Sequence, residues 1–275
     1  MCWLTDAQIG MCYDTLGDNL PPASSNIELI LGVPNIDLQS LATFPNNAIT
    51  WVQNNVLDFL PSVKIKYIAI GNEVNPSKES SKFAKYVLPA IQNIYKAIRA
   101  KGLQDRIKVT TAIDMSMLGN TYPPSQGSFR DDVKSYIKPI IGYLVYANAP
   151  LLANVYPYYG CGIRGKYKYK NLFDAMLDSV HAVIDNTEIG YVDVVVSESG
   201  WPSDGGSDAS YYNAKTFLNN LIRRAKTGSP RRPSKPTEIY IFAMFDENQK
   251  VSGIENHFGL FSANKKKKYP FNFSG

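Results

Sequence analysis

Two rhythms of apolar residues alternate along this chain. Short, nearly continuous apolar runs are separated by longer stretches in which apolar residues return every third or fourth position. The short runs predict strands at Ile9–Tyr13, Ile27–Val33, Ile65–Ile70, Ile107–Ile113, Leu151–Tyr156, Val192–Ser197 and Ile239–Phe245. Tyr67-Ile-Ala-Ile and Val192-Asp-Val-Val-Val barely alternate with polar residues, as parallel strands covered on both faces require. The longer stretches predict helices at Ala48–Phe59, Lys82–Ala100, Asp131–Tyr146, Leu172–Ile184 and Tyr211–Lys226. Lys101-Gly102 supplies the C-terminal cap of the second.

Strand and helix in alternation imply a parallel sheet with helices outside it, an α/β fold. No G-x-G-x-x-G or G-K-[ST] loop follows a strand, which argues against a nucleotide-binding open sheet. A strand-to-strand repeat of roughly 30 to 40 residues fits the (β/α)8 TIM-barrel type, whose eight units need about 250 residues. The expectation is therefore one barrel domain over residues 1–275. One interval breaks the pattern. Residues 14–26 are too few for a strand–helix unit, and Pro21-Pro22 spoils a helix there. Seven strands are legible where closure wants eight. A barrel short of one strand is expected to expose two unpaired edges.

Composition narrows the chemistry. Hydrophobic residues are 44% and charged residues 19% of the chain, enough for a sizeable core. The net charge of +5 is spread rather than striped, and Lys265 to Lys268 is expected to be a solvated tail, so no nucleic-acid partner is implied. Two histidines, His181 and His257, leave no room for a His-based triad or a His-rich metal site. Cys2, Cys12 and Cys161 form neither a zinc nor a disulfide spacing. No run of 18 apolar residues predicts a membrane span, and the first residues lack the basic and apolar regions of a signal peptide.

Two glutamates stand where apolar strands end: Glu73 in Tyr67-Ile-Ala-Ile-Gly-Asn-Glu-Val and Glu198 in Val194-Val-Val-Ser-Glu-Ser-Gly-Trp-Pro. The C-terminal strand edge is where barrel active sites are built. Two carboxyls from different strands of one barrel suit glycoside hydrolysis with retention, one protonating the leaving oxygen and the other attacking the anomeric carbon. Repulsion and burial would raise the acid's pKa. Asn72 is placed to hydrogen-bond a sugar hydroxyl. Glu247 and Lys250 follow another strand, and Tyr13 and Tyr156 end two more, so they are candidates for hydroxyl binding and ring stacking. Each has a plainer reading: a surface ion pair for Glu247 and Lys250, core packing for either tyrosine.

The chain resembles glycoside hydrolase family 17, the plant endo-β-1,3-glucanases of pathogenesis-related type. The matching stretches include Ala7-Gln-Ile-Gly-Met-Cys-Tyr, Leu31-Gly-Val-Pro-Asn, Ala69-Ile-Gly-Asn-Glu-Val, Asn154-Val-Tyr-Pro-Tyr, Val196-Ser-Glu-Ser-Gly-Trp-Pro-Ser, Phe242-Ala-Met-Phe-Asp-Glu-Asn-Gln-Lys and His257-Phe-Gly-Leu-Phe, in family order. The resemblance implies Glu73 as proton donor, Glu198 as nucleophile, and Glu247 and Lys250 as a supporting charged pair; Trp201, in the same stretch as Glu198, is a further candidate for substrate binding or support. It also implies β-1,3-glucan as the partner, no cofactor or metal, a monomer, and secretion to the cell wall or delivery to the vacuole. Three departures stand out. The strand–helix unit between the Pro-Pro loop and Asn26-Ile-Glu-Leu is missing, the excursion after Tyr158 is short, and Asp14 replaces a glycine. A shortened cleft leaves a second reading open, a glucan-binding homologue with little turnover.

Overall fold

The computed structural model describes residues 2–4, 9–12, 28–159, 169–247, 249–250 and 252–273. Its strands are β1 (Cys2–Leu4), β2 (Ile9–Cys12), β3 (Glu28–Val33), β4 (Lys64–Asn72), β5 (Lys108–Asp114), β6 (Leu151–Asn154), β7 (Val194–Ser199) and β8 (Ile239–Ile241). Helices α1 (Leu38–Thr43), α2 (Pro45–Asn55), α3 (Ser81–Ala100), α4 (Asp131–Ala147), α5 (Leu172–Asp185) and α6 (Tyr211–Ala225) accompany them. The predicted strands and helices are all present within a few residues of their expected bounds. Two elements were not legible: α1, because six residues hold less than two helical turns of periodicity, and the three-residue β1.

The strands form a closed ring in the order β1-β2-β8-β7-β6-β5-β4-β3. This overturns the expectation of two open edges. Strands β2 to β8 run parallel, and β1 lies between β2 and β3, antiparallel to both. Its register matches Cys2 to Cys12 and Ile30, and Leu4 to Gly10 and Glu28. A stave of three residues thus occupies the slot of the missing unit and gives both edges a ladder partner. Residues 14–26 themselves lie outside the described residues.

Two packed layers hold the ring. Inside it, Ile30, Tyr67, Ala69, Ala112, Leu152, Val195 and Tyr240 form a filled core. Outside, a larger cluster joins the other strand face to the helices, with Ile91, Ile94 and Ile98 of α3 and Ile137, Ile140 and Ile141 of α4 buried. At the N-terminal end of the ring the Tyr67 and Tyr240 phenols donate to Glu238 at 3.1 and 2.8 Å, and Lys66 joins at 3.1 Å. Glu73 and Glu198 stand at the opposite end, where β4 and β7 finish.

The ladder of β8 stops at Ile241, earlier than Phe245, but the backbone stays docked. Phe242 N donates to Ser199 O and Met244 N to Cys12 O, both at 2.9 Å. The C-terminal lysines are not a free tail. Lys268 pairs with Asp246 at 2.7 Å and reaches Ser203 Oγ at 2.8 Å, while Lys267 lies 4.1 Å from the Phe271 ring centre.

Candidate active site

Both predicted glutamates arrive through a bulge in their own strand. Along β4 and β5 the register moves from Ala69↔Thr110 to Asn72↔Ala112, an extra residue on β4. Along β6 and β7 it moves from Ala153↔Val196 to Asn154↔Glu198, an extra residue on β7. A bulge re-aims the residues that follow it and bends the strand locally. Gly71 makes the first one possible, because its φ is +70° and a Cβ there would meet Asn35 Oδ1 at 2.9 Å.

Glu73 is itself left-handed, with φ at 51°. A non-glycine residue holds that conformation only where its surroundings over-determine it. They do so here. Glu73 N donates to Ala112 O at 3.0 Å, and Ser80 Oγ donates to Glu73 O at 3.2 Å. Asn35 clasps Asn72 by exchanging two hydrogen bonds with its backbone, Nδ2 to O at 3.0 Å and N to Oδ1 at 2.9 Å. Asn75, fully buried, donates from Nδ2 to Ser116 Oγ at 3.1 Å and anchors the turn from below.

Asn154 on β6 links the Glu73 carboxyl to Ser197, the residue before Glu198. Its Nδ2 donates to Glu73 Oε1 at 2.8 Å and to Asn72 Oδ1 at 3.1 Å, while its Oδ1 accepts from Ser197 Oγ at 2.7 Å. Ser197 is the residue the β7 bulge adds beside Glu198. Asn154 is 2% exposed, so its amide is fixed from both ends. Glu198 Oε2 accepts from the Tyr156 hydroxyl at 2.8 Å, and Val155 N donates to Glu198 O at 2.8 Å. Cys12 Sγ donates to Ser197 O at 3.2 Å beneath this group.

Burial pushes the Glu198 carboxyl up to about 7, with the charge of Glu73 adding to the rise and the Tyr156 hydrogen bond and Lys250 opposing it. Burial also raises Glu73, helped by Asp114 and Glu255 and opposed by the Asn154 hydrogen bond and Lys78. Near neutrality the pair therefore holds on to a proton instead of carrying two full charges. The Tyr156 phenol, raised far above its ordinary value by burial and by Glu198, stays protonated and remains a donor.

Glu73 and Glu198 line a cleft of about 690 Å3 together with Asn72, Asn154, Tyr156 and Lys250. The Lys250 ammonium lies 2.5 Å from Glu247 and 4.9 Å from the Phe242 ring centre. Glu247 supports the cleft through Lys250 and does not line it. Trp201 is not among the residues that line it. Its indole N–H donates to Asp208 O at 3.0 Å, and its ring packs on Phe217 and Tyr158. Tyr13 lies outside the described residues. Asn154, Lys78, Asp114, Ser116, Phe258 and Glu255 also line the cleft and were not singled out from sequence. Asn154 and Asp114 end strands β6 and β5, so the signal that found Glu73 could have found them.

The profile of glycosyl hydrolases family 17 matches residues 20–273. A glucan endo-1,3-beta-glucosidase, basic isoform, of Phaseolus vulgaris is 59% identical over 315 aligned positions covering 97% of this chain and 90% of its own. A glucan endo-1,3-beta-glucosidase of Pisum sativum is 57% identical, covering 98% of this chain and 86% of its own. Among solved structures, CJP38, a beta-1,3-glucanase and allergen of Cryptomeria japonica pollen, superimposes with a TM-score of 0.87 at 39% identity, over 91% of this chain and 85% of its own. The 315 aligned positions outnumber the 275 residues here, so the bean relative carries residues that this chain lacks.

Proposed function

We propose that this chain, which belongs to glycosyl hydrolase family 17, hydrolyses internal linkages of β-1,3-glucan with retention of configuration. The observation that carries the reading is the pair of bulged strand ends, Glu73 and Glu198, held across one open cleft by different hydrogen-bond donors. Glu198 is the nucleophile. Burial raises its carboxyl to about 7, and the Tyr156 hydroxyl and the Lys250 charge act against that rise, favouring the ionised form that must attack the anomeric carbon. Glu73 is the acid/base, carried on an over-determined turn that keeps its carboxyl at a fixed place as it loses and regains a proton.

In the first step the Glu198 oxygen bonds to the anomeric carbon while the glycosidic bond breaks, and Glu73 gives its proton to the departing oxygen. In the second step Glu73, now charged, takes a proton from water. That oxygen attacks the anomeric carbon and releases Glu198. Asn154 donates to Glu73 throughout, most strongly when the carboxyl is charged between the steps. Asn72, bonded to the same amide, is positioned to meet a hydroxyl of the sugar being cleaved.

A cleft flanked on both sides by lining residues suits a chain that continues past the cut in each direction. The whole chain serves as one catalytic domain, acting as a monomer in the vacuole or outside the cell. Among the described residues no helix is long and apolar enough to cross a membrane.

The test is release of reducing ends from laminarin by the purified protein and its Glu198→Ala variant. Turnover in the parent that falls on the order of a thousandfold or more in the variant is the expected result. Undiminished hydrolysis by the variant would remove Glu198 from the mechanism. Proton NMR of the first product should show the β anomer; an α anomer would rule out retention.

A further inference from the structure

The proposed mechanism leaves one wing of the cleft without a role. On the Glu198 side the lining is Tyr156, Phe242, Phe258 and Lys250; on the Glu73 side it is Lys78, Asp114 and Ser116. An acid/base must touch the oxygen that joins the cleaved sugar to the leaving one, whereas the nucleophile touches only the cleaved sugar. The leaving sugar therefore lies against the groups that border Glu73, and the strand order sets Asp114, at the end of β5, beside the β4 end that carries Glu73.

We propose that Lys78 and Asp114 bind the leaving glucose by the two hydroxyls that flank its departing oxygen. This rests on Glu73 being the acid. Lys78 Nζ sits 2.6 Å from Asp114 Oδ2, and Ser116 Oγ donates to the same carboxylate at 2.7 to 2.8 Å. The Asp114 side chain is 16% exposed and that of Lys78 47%, so the pair is pinned at its base and open to the cleft. Asp114 is the register partner of Asn154, the residue that holds Glu73. Asn75, at the turn carrying Glu73, donates from Nδ2 to Ser116 Oγ at 3.1 Å, and its carbonyl accepts from Lys78 N at 3.2 Å. The acid and the ion pair thus share one buried scaffold, which fixes the distance between the cut and the next sugar.

The chemistry suits a 1,3 linkage. A glucose leaving through its C3 oxygen carries free equatorial hydroxyls at C2 and C4, one on each side of the cut. A carboxylate accepts from one and an ammonium donates to the other. A glucose leaving through its C4 oxygen has a ring hydroxyl on only one side, with the hydroxymethyl-bearing carbon on the other. The pair thereby reads linkage on the leaving side.

The experiment compares kcat/KM of the parent, Lys78→Met and Asp114→Asn on laminaripentaose and on 4-nitrophenyl β-laminaritrioside, whose leaving group has no sugar hydroxyls. The two substrates are run on the same protein sample, so any misfolded fraction cancels in their ratio. The loss on the pentaose is expected to exceed the loss on the aryl glycoside by about tenfold or more for each variant. Equal losses on both substrates would mean that the pair acts on the fold, and a larger loss on the pentaose accompanied by a shift in the basic limb of its pH–rate profile would mean that the pair acts through Glu73; either result would overturn the proposal. So would no loss on either. A parent inactive on both substrates would instead sink the reading of the site, and this inference with it.

Discussion

From β4 to β8 the ring is parallel, and each catalytic candidate stands at a register shift in its own strand. Between β2 and β3 the ring holds only the three-residue β1, Cys2–Leu4, running the opposite way. The two regions answer different demands. Closure asks for a backbone that presents donors and acceptors along both edges, and a strand in either direction can supply them. Catalysis asks for particular atoms at particular points, so Asn154, Ser197, Tyr156 and the Gly71 turn have no such freedom. A family member can therefore lose a strand–helix unit on the seam side and keep the glutamates, their donors and their cleft together.

If the regions are this separable, damage to one should leave the other's readout nearly untouched. The largest effect is expected for Glu73→Gln, which removes the transferable proton while preserving shape. Laminarin turnover should fall by roughly 10² to 10⁴ with an unchanged melting temperature, and aryl glycosides with good leaving groups should lose much less. A melting temperature that fell with the activity would blur the comparison.

Tyr156→Phe comes next. It deletes the donor to Glu198 and should cost about tenfold in kcat/KM. That hydrogen bond lowers the Glu198 pKa from what burial alone would give, so its loss raises the pKa. The nucleophile would then ionise only at higher pH, and the acid limb of the pH–rate profile should move upward. A profile that stayed in place would show that Tyr156 does not tune the nucleophile.

The seam is tested by deleting residues 1–4. Two strand edges lose their ladder partner, and the melting temperature should drop by about 5 °C or more. Turnover of the remaining folded protein at 25 °C should change less than the melting point suggests. Loss of all activity from a still-folded variant would mean that the cleft depends on the seam after all.

The smallest effect expected is a stabilisation. A carboxyl whose folded pKa is about 7 against an ordinary 4.5 binds its proton more tightly in the native state. Stability is then fully present below pH 4.5 and declines as pH rises toward 7. Glu198→Gln, which cannot ionise, should melt a few degrees above the parent at pH 7 and match it near pH 4. Equal melting temperatures at both values would deny that Glu198 is under strain in the free protein.

The sequence by itself determined much of this protein. Strands such as Tyr67-Ile-Ala-Ile and Val194-Val-Val are apolar on both faces, and local pattern places them without ambiguity. The strand ends at Glu73 and Glu198 were legible for the same reason, since charge directly after such a run must sit at the rim. Tertiary structure alone decided the rest. Cys2-Trp3-Leu4 carries no strand signal of its own, and its role exists only because two distant edges need a partner. Asn154 and Asp114 looked like ordinary polar strand ends until the ring brought them beside Glu73. Trp201 shares a motif with Glu198, yet Phe217, Tyr158 and a backbone carbonyl hold it outside the cleft. Periodicity records which face of an element is buried; it does not record which elements meet, and the Asn154 bond to Glu73 and the Tyr156 bond to Glu198 each join residues far apart in the chain.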